Sequence, residues 1–322
     1  MGAYIVRRIL IAVPVLLGIS VAGFFALALA PGDPVTSMID PEALRRMSPE
    51  QIEQIRHQLG LDGPIIVRYG RWLADVVRGN LGYSIITSRP VIVELATRIG
   101  PTLLLMGTAV AIALLIGIPF GVISAVRQYS RLDYAVTTFS LAMISTPTFL
   151  LGLIFIYTFA VTLKWLPAGG LATLGVPFSL TDRLEHLVMP ALILGLANAA
   201  PLMRYTRGSM LEVINSDYIT TARAKGLTGR VVLIRHGLRN ALIPIITLIG
   251  LLLPELVAGA VITEQVFAWP GMGQLAVTAA DRRDPALMMG VMMLVAVGVL
   301  VSSLLADIAY ATVDPRVRLG AH

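Results

Sequence analysis

Cysteine is absent from all 322 residues. That removes disulfides, thiolate metal sites and cysteine nucleophiles, and it leaves the redox compartment open. Lysine is almost absent. Lys164 and Lys225 are the only two, and neither is followed by Ser or Thr, so the chain cannot bind ATP through a Gly-rich phosphate loop ending in Lys-Ser or Lys-Thr. The four histidines (His57, His186, His236 and His322) are scattered. They show neither metal-ligand spacing nor the pairing of a nucleophile with its base, which leaves an enzyme reading with little support. Charge is scarce as well: 14% of residues are charged, against about 25% in soluble domains.

Apolar residues fill the place of all these. They make up 56% of the chain, mean hydropathy is +0.81, and they gather in runs too long for a globular core. The chain reads as an all-α integral membrane protein. Met1 to Arg8 is short and basic, and 9–30 is the first transmembrane run. A signal peptide ending near Ala28-Leu29-Ala30 is the rival reading, but the run exceeds a usual signal core and more spans follow.

Pro31-Gly32-Asp33-Pro34 breaks the helix and opens an outer loop over 31–102. Within it Ser48-Pro49-Glu50-Gln51 starts an amphipathic helix with the stripe Ile52, Ile55 and Leu59, ended by Gly60. Ile65 to Val77 is a second amphipathic helix, carrying the interfacial residues Tyr69 and Trp72. Leu81-Gly82-Tyr83-Ser84 reads as a turn. Further spans are expected at 103–126, 134–163 (broken near Pro147), 187–203, 241–263 (interrupted by Pro244 and Pro254) and 286–306. The tail is 307–322, and one membrane-spanning domain of about 95–310 is expected.

Six spans put both termini on one side, and basic residues choose the side. With the N-terminus inside, the inner segments hold thirteen Lys and Arg residues, whereas the short outer loops hold four. The polar interval 205–240 is then cytoplasmic. It is neither Gly/Ser-rich nor acidic, so it is no slack linker. Ser216 suits a helix cap, Asp217 the first turn, Arg223 and Lys225 the last. Gly226 is placed to end the helix with positive φ. About nine residues are too few for an isolated helix. Ala222 and Gly226 lie one turn apart with Ile219 beside them, a face of small residues expected to admit a partner's backbone. Asp217 to Leu242 also has the outline of a helix-turn-helix, but both ends are tethered to spans, so no nucleic-acid partner is expected.

Three polar residues fall in or beside apolar segments. Glu255 follows Pro254 and stands between a pathway role at a water-lined break and a structural one. Asp307 is expected to pair with an arginine near the cytoplasm, and Asn198 to hydrogen-bond across helices.

The residues Asp217-Tyr218-Ile219-Thr220-Thr221-Ala222-Arg223-Ala224-Lys225-Gly226-Leu227, then Arg235-His236-Gly237-Leu238-Arg239-Asn240-Ala241-Leu242-Ile243-Pro244, closely resemble the coupling segment of ABC importer permeases. The B-type permease subunit of bacterial dipeptide and oligopeptide importers is the nearest form. The resemblance extends over nearly the whole chain: Pro31 to Pro34, Leu59-Gly60-Leu61-Asp62, Arg204 to Met210, Glu264-Gln265-Val266-Phe267-Ala268-Trp269-Pro270-Gly271-Met272-Gly273, Asp307 to Tyr310, and Asp314-Pro315-Arg316. Of the general importer motif (Glu-Ala-Ala, three residues, Gly, nine residues, Ile-x-Leu-Pro), only Ala222, Gly226 and Leu238 fit. The peptide subfamily tolerates those changes.

The resemblance implies the six-helix type I importer permease fold with a helical extracytoplasmic loop between spans 1 and 2. It implies coupling through Asp217, Tyr218, Ile219, Thr221, Ala222, Arg223, Ala224, Lys225, Gly226 and Leu227, supported by Arg235, His236, Arg239 and Asn240. It further implies a heterodimer with a C-type permease, two ABC ATPase subunits that carry ATP and Mg, and an extracytoplasmic substrate-binding protein, all at a bacterial inner membrane. No cofactor or metal is expected on this chain. Di- and oligopeptides are the expected cargo, with nickel chelates, glutathione and sugars as alternatives within the family. An ion-coupled secondary transporter using Glu255 and Asp307 is the reading from outside it.

Overall fold

The computed structural model describes residues 2–29, 39, 41–58, 63–252 and 254–313. The expected breaks at Pro31 to Pro34 and Leu59 to Asp62, and the tail from Asp314, lie outside these residues. Among the described residues every regular element is helical, and the sole β feature is an isolated bridge between Tyr83 and Pro90.

The elements in chain order are α1 (Gly2–Leu29), α2 (Pro41–Arg46), α3 (Pro49–Gln58), α4 (Ile65–Val77), α5 (Val91–Val126), α6 (Arg131–Ser145) and α7 (Thr148–Phe155), which continues as a π-helical stretch, Ile156–Thr162. Then come α8 (Leu180–Ile214), α9 (Asp217–Ala224), a single turn at Gly229–Val231 and a second π-helical stretch, Val232–Leu238. The chain closes with α10 (Arg239–Leu252), α11 (Glu255–Ala258), α12 (Val261–Val266), α13 (Met272–Asp281) and α14 (Pro285–Val313).

Among the described residues four helices are long and apolar enough to cross a membrane, and the number rises to six if each of two bent helix pairs is one span. The expected spans and the helices differ in extent for a physical reason. Hydropathy follows only the greasy part of a helix, whereas backbone hydrogen bonding continues through its polar ends. The span expected at 103–126 is the last two-thirds of α5, and the one expected at 187–203 is the middle of the 35-residue α8. The span expected at 134–163 is not straight, since α6 and the α7 segment meet at 101°. Thr146 there is extended, with ψ 125°, as the residue before a proline prefers. The span expected at 241–263 is divided among α10, α11 and α12, with Gly259 at φ +76° after α11.

Between α1 and α5, α3 begins with a reciprocal cap. Ser48 N–H donates to Gln51 Oε1 at 2.8 Å, and Gln51 N–H donates to Ser48 Oγ at 3.3 Å, which satisfies two backbone groups at once.

The core is built on α5 against α8. Small residues recur every fourth position along α5, at Ala109, Ala113, Gly117, Gly121 and Ala125, and all are buried. Ala191, Gly195 and Ala199 repeat the spacing on α8. A Cβ at Gly121 would stand 2.7 Å from the Met203 carbonyl oxygen, and one at Gly195 would stand 2.5 Å from Ile112 Cγ2. In a membrane, such close backbone approach supplies the packing that hydrophobicity cannot.

Candidate functional site

The polar interval leaves the core directly from the end of α8. Asn215 and Ser216 form the corner, and α9 follows. Ser216 occupies the N-cap position, but its hydroxyl donates back to the Val213 carbonyl at 2.6 Å. The first turn of α9 therefore has no side-chain cap and relies on packing. That packing comes from Ile219 and Ala222, 1% and 7% exposed, set against Val232 and Val213. Of the small-residue face expected to admit a partner, Ile219 and Ala222 are covered by the chain itself, whereas Gly226 stays exposed. What α9 and the following turn leave exposed is Asp217, Tyr218, Thr220, Thr221, Arg223, Ala224, Lys225, Gly226 and Leu227. Gly226 has φ +78° with open space around it, so the backbone conformation alone calls for glycine there.

The supporting residues return from the second π-helical stretch and the start of α10. Asn240 Nδ2 donates to the Tyr218 hydroxyl at 3.1 Å and to the His236 carbonyl at 3.0 Å. Ser209 Oγ donates to the Ala241 carbonyl at 3.0 Å, tying α8 to the start of α10. Arg235 and Arg239 are exposed beside α9 and His236 is half-buried. The interval is thus a small folded unit with a mixed-charge outer face, fixed at both ends to long helices.

Beneath it lies a device that the sequence reading missed. Arg207 on α8 donates from Nε to Asp133 Oδ1 at 2.7 Å and from Nη2 to Oδ2 at 2.9 Å. Asp133 also accepts from Ser124 Oγ at the end of α5 and from the Tyr129 N–H at 2.9 Å. One carboxylate therefore joins α5, α6 and α8 at the end where α9 emerges. A signal was present: Ser130-Arg131-Leu132-Asp133 has capping-box spacing, and Ser130 Oγ does accept from Asp133 N–H at 3.2 Å. Its partner, 74 residues away, left no local mark.

The opposite end of α5 carries a second carboxylate network. Glu264, fully buried, accepts from Thr102 Oγ1 at 3.1 Å and from Gln274 N–H at 3.0 Å. Thr102 Oγ1 accepts in turn from Met272 N–H at 2.7 Å, and Trp269 Nε1 donates to the Pro101 carbonyl at 3.0 Å. The Glu264 to Gly273 stretch thus folds around its own carboxylate and docks on α5. Burial pushes the Glu264 carboxyl up from its ordinary value, opposed by the hydrogen bonds from Gln274, Thr102 and Gly273.

The three polar residues of the apolar segments part ways. Asp307 Oδ2 is 2.8 Å from Arg8 Nη2, joining the final helix to the first. Asn198 is half-buried on α8 without an interhelical hydrogen bond among the described residues, contrary to expectation. Glu255 is exposed at the break between α10 and α11 and has no ion pair among the described residues. Asp307 is paired with Arg8, and Glu255 shares no ion pair with it among the described residues. Among the described residues no three metal-binding side chains converge.

Comparison with known proteins adds the following. Residues 117–319 match the family described as the binding-protein-dependent transport system inner membrane component, and residues 1–106 match its N-terminal part. The oligopeptide transport system permease protein AppB of Bacillus subtilis (strain 168) is 46% identical over 318 residues, covering 98% of this chain and 99% of the relative. The glutathione transport system permease protein GsiC of Escherichia coli (strain K12) is 36% identical over 315 residues, covering 98% of each. Among solved structures, an inward-facing form of the MetNI methionine ABC transporter aligns with a TM-score of 0.57 at 20% identity, covering 69% of this chain and 97% of that one. That last likeness shows a shared fold.

Proposed function

Because the chain belongs to the family of inner-membrane components of binding-protein-dependent transport systems, we propose that it is the permease subunit through which an ATP-driven importer moves peptides. It is a transport component and not itself an enzyme. The observation that carries the peptide reading is the 46% identity, end to end, with an oligopeptide permease. The glutathione permease supports the same class of cargo, since glutathione is itself a short peptide.

In this reading the chain forms half of a pathway with a homologous C-type permease, in a bacterial inner membrane with both termini in the cytoplasm. Two ATPase subunits carry ATP and Mg and grip the outer face of α9 through Asp217, Tyr218, Thr221, Arg223 and Lys225, while a binding protein delivers cargo from outside. Ile219 and Ala222 act from within, seating α9 on Val213 and Val232. Closure of the ATPases displaces α9, and the Asp133–Arg207 pair passes the displacement to α5, α6 and α8 together. ATP binding then shifts the pathway only by as much as the docked ATPases favour one state over the other.

The test is reconstitution with the partner subunits in liposomes. Uptake of a labelled tripeptide should require ATP and the binding protein. Uptake driven by a proton or sodium gradient without ATP would overturn the proposal in favour of an ion-coupled carrier.

A further inference from the structure

The helix α4 packs on α1 in a way that fixes its depth. The rings of Tyr69 and Trp72 stand 5.4 and 5.8 Å from the ring of Phe24, and Tyr69 is 6.3 Å from Phe25. Ser20 Oγ donates to the Leu17 carbonyl at 2.8 Å, so in the 2.9 Å contact between Tyr69 and Ser20 the tyrosine hydroxyl is the donor. Phe24 and Ser20 lie five and nine residues before the end of α1 at Leu29, which is about 7 and 14 Å of helix. A helix whose rings reach that far down a spanning helix is sunk at the level of the lipids.

The surface of α4 divides into three sectors at about 100° per residue. Ile65, Tyr69, Trp72 and Val76 are partly buried and form the sector roughly 60° wide that faces α1. Ile66, Gly70 and Val77 form a neighbouring sector roughly 40° wide that is apolar and bare, with Ile66 72% and Val77 80% exposed. Arg68, Arg71, Asp75 and Arg78 occupy the side opposite that bare sector. None of the three arginines pairs with a carboxylate among the described residues. The flank of α1 is bare as well: toward its N-terminal end Val6, Ile9, Leu10 and Val13 are all more than half exposed.

We propose that α4 is an in-plane membrane anchor. Ile66 and Val77 sit in the acyl chains of the leaflet at the C-terminal end of α1, and Arg71 and Arg78 rest on anionic phospholipid headgroups. Tyr69 and Trp72 occupy the interface, where amphipathic rings are favoured. Charge selects the lipid: three arginines against Asp75 give this short helix a positive polar face. The anchor holds the outer loop beside α1 rather than over the mouth of the pathway. This inference rests on the membrane-spanning reading of the chain and is independent of the cargo.

The natural lack of cysteine makes the test clean. Ile66→Cys, Val77→Cys, Asp75→Cys and Val13→Cys are each labelled with a nitroxide in the assembled transporter, in nanodiscs of phosphatidylcholine with or without phosphatidylglycerol. Collision rates with oxygen and with a water-soluble nickel chelate report immersion. Oxygen should dominate at positions 66, 77 and 13, and nickel at 75. Phosphatidylglycerol should deepen position 77, and Arg71→Gln with Arg78→Gln should abolish that shift. Nickel dominating at 66 and 77, or exclusion of both reagents there, would overturn the anchor while position 13 still reports lipid. Equal spectra in the two lipid mixtures would overturn the headgroup assignment. Loss of the lipid signal at position 13 would instead sink the membrane reading itself.

Discussion

Arg207 holds Asp133 through two parallel hydrogen bonds of 2.7 and 2.9 Å, across 74 residues of sequence and at the junction of three helices. The Asp133 side chain is 3% exposed and that of Arg207 27%, so loss of either partner is unequal in effect. Arg207→Ala strands a buried carboxylate and should cost more than Asp133→Asn, toward the lower end of the roughly 3–5 kcal/mol seen when a buried pair is broken. The double variant should recover part of that loss, with a coupling of about 0.5–3 kcal/mol. Thermal unfolding of the purified complex measures all four corners of the cycle, and additive losses would show that the pair does not act as a unit.

Gly226 separates strain from space. Its surroundings are open but its φ is +78°. Gly226→Asn should therefore be tolerated, because Asn enters the left-handed region, while Gly226→Val should not. The expected result for Gly226→Val is normal membrane insertion with reduced ATPase co-purification, or ATP hydrolysis without uptake. Equal behaviour of the two variants would remove the backbone argument.

The orientation is open to labelling in intact cells. Gln128→Cys and Thr228→Cys, both exposed, should resist an impermeant thiol reagent. Leu174→Cys, at a position 97% exposed, should react. Labelling at position 228 would reverse the topology and with it the place of the docking helix.

Glu264 gives a pH dependence of definite sign. Burial raises its folded pKa, so the stabilisation it gives is full below the ordinary carboxylate range and is lost as pH rises through the folded value. The thermal midpoint of the complex should fall between mildly acidic and neutral pH, and Glu264→Gln should flatten that slope. Gly271→Ala is the steric companion: its methyl group would collide with the Glu264 carboxylate. It should lower the midpoint at every pH.

Local chemistry was legible in the sequence. The limits Ile65 and Val77 of α4, the Ser48–Gln51 cap and the positive φ of Gly226 all depend on residues within a few positions of one another. The break at Pro147 was legible for the same reason, but its 101° angle depends on what α6 and α7 pack against. The inward turn of Ile219 and Ala222 was not legible, because a face of small residues suits a neighbouring segment of the same chain as well as a foreign one. Burial by Val213 and Val232 decides between them. The reach of α5 and α8 beyond their apolar stretches was hidden too, since a helix continues wherever its backbone bonds are met.

The four-residue rhythm of small side chains between α5 and α8 also bears on how this protein can diversify. At Gly117, Gly121 and Gly195 a single added methyl group meets the opposite helix, so random mutation at those sites is filtered out before cargo preference is ever tried. Heritable variety must enter elsewhere, on faces such as that of Glu255 where a new side chain meets open space. A library confined to exposed positions of α10 to α12 should yield altered uptake far more often than one of equal size spread along the seam.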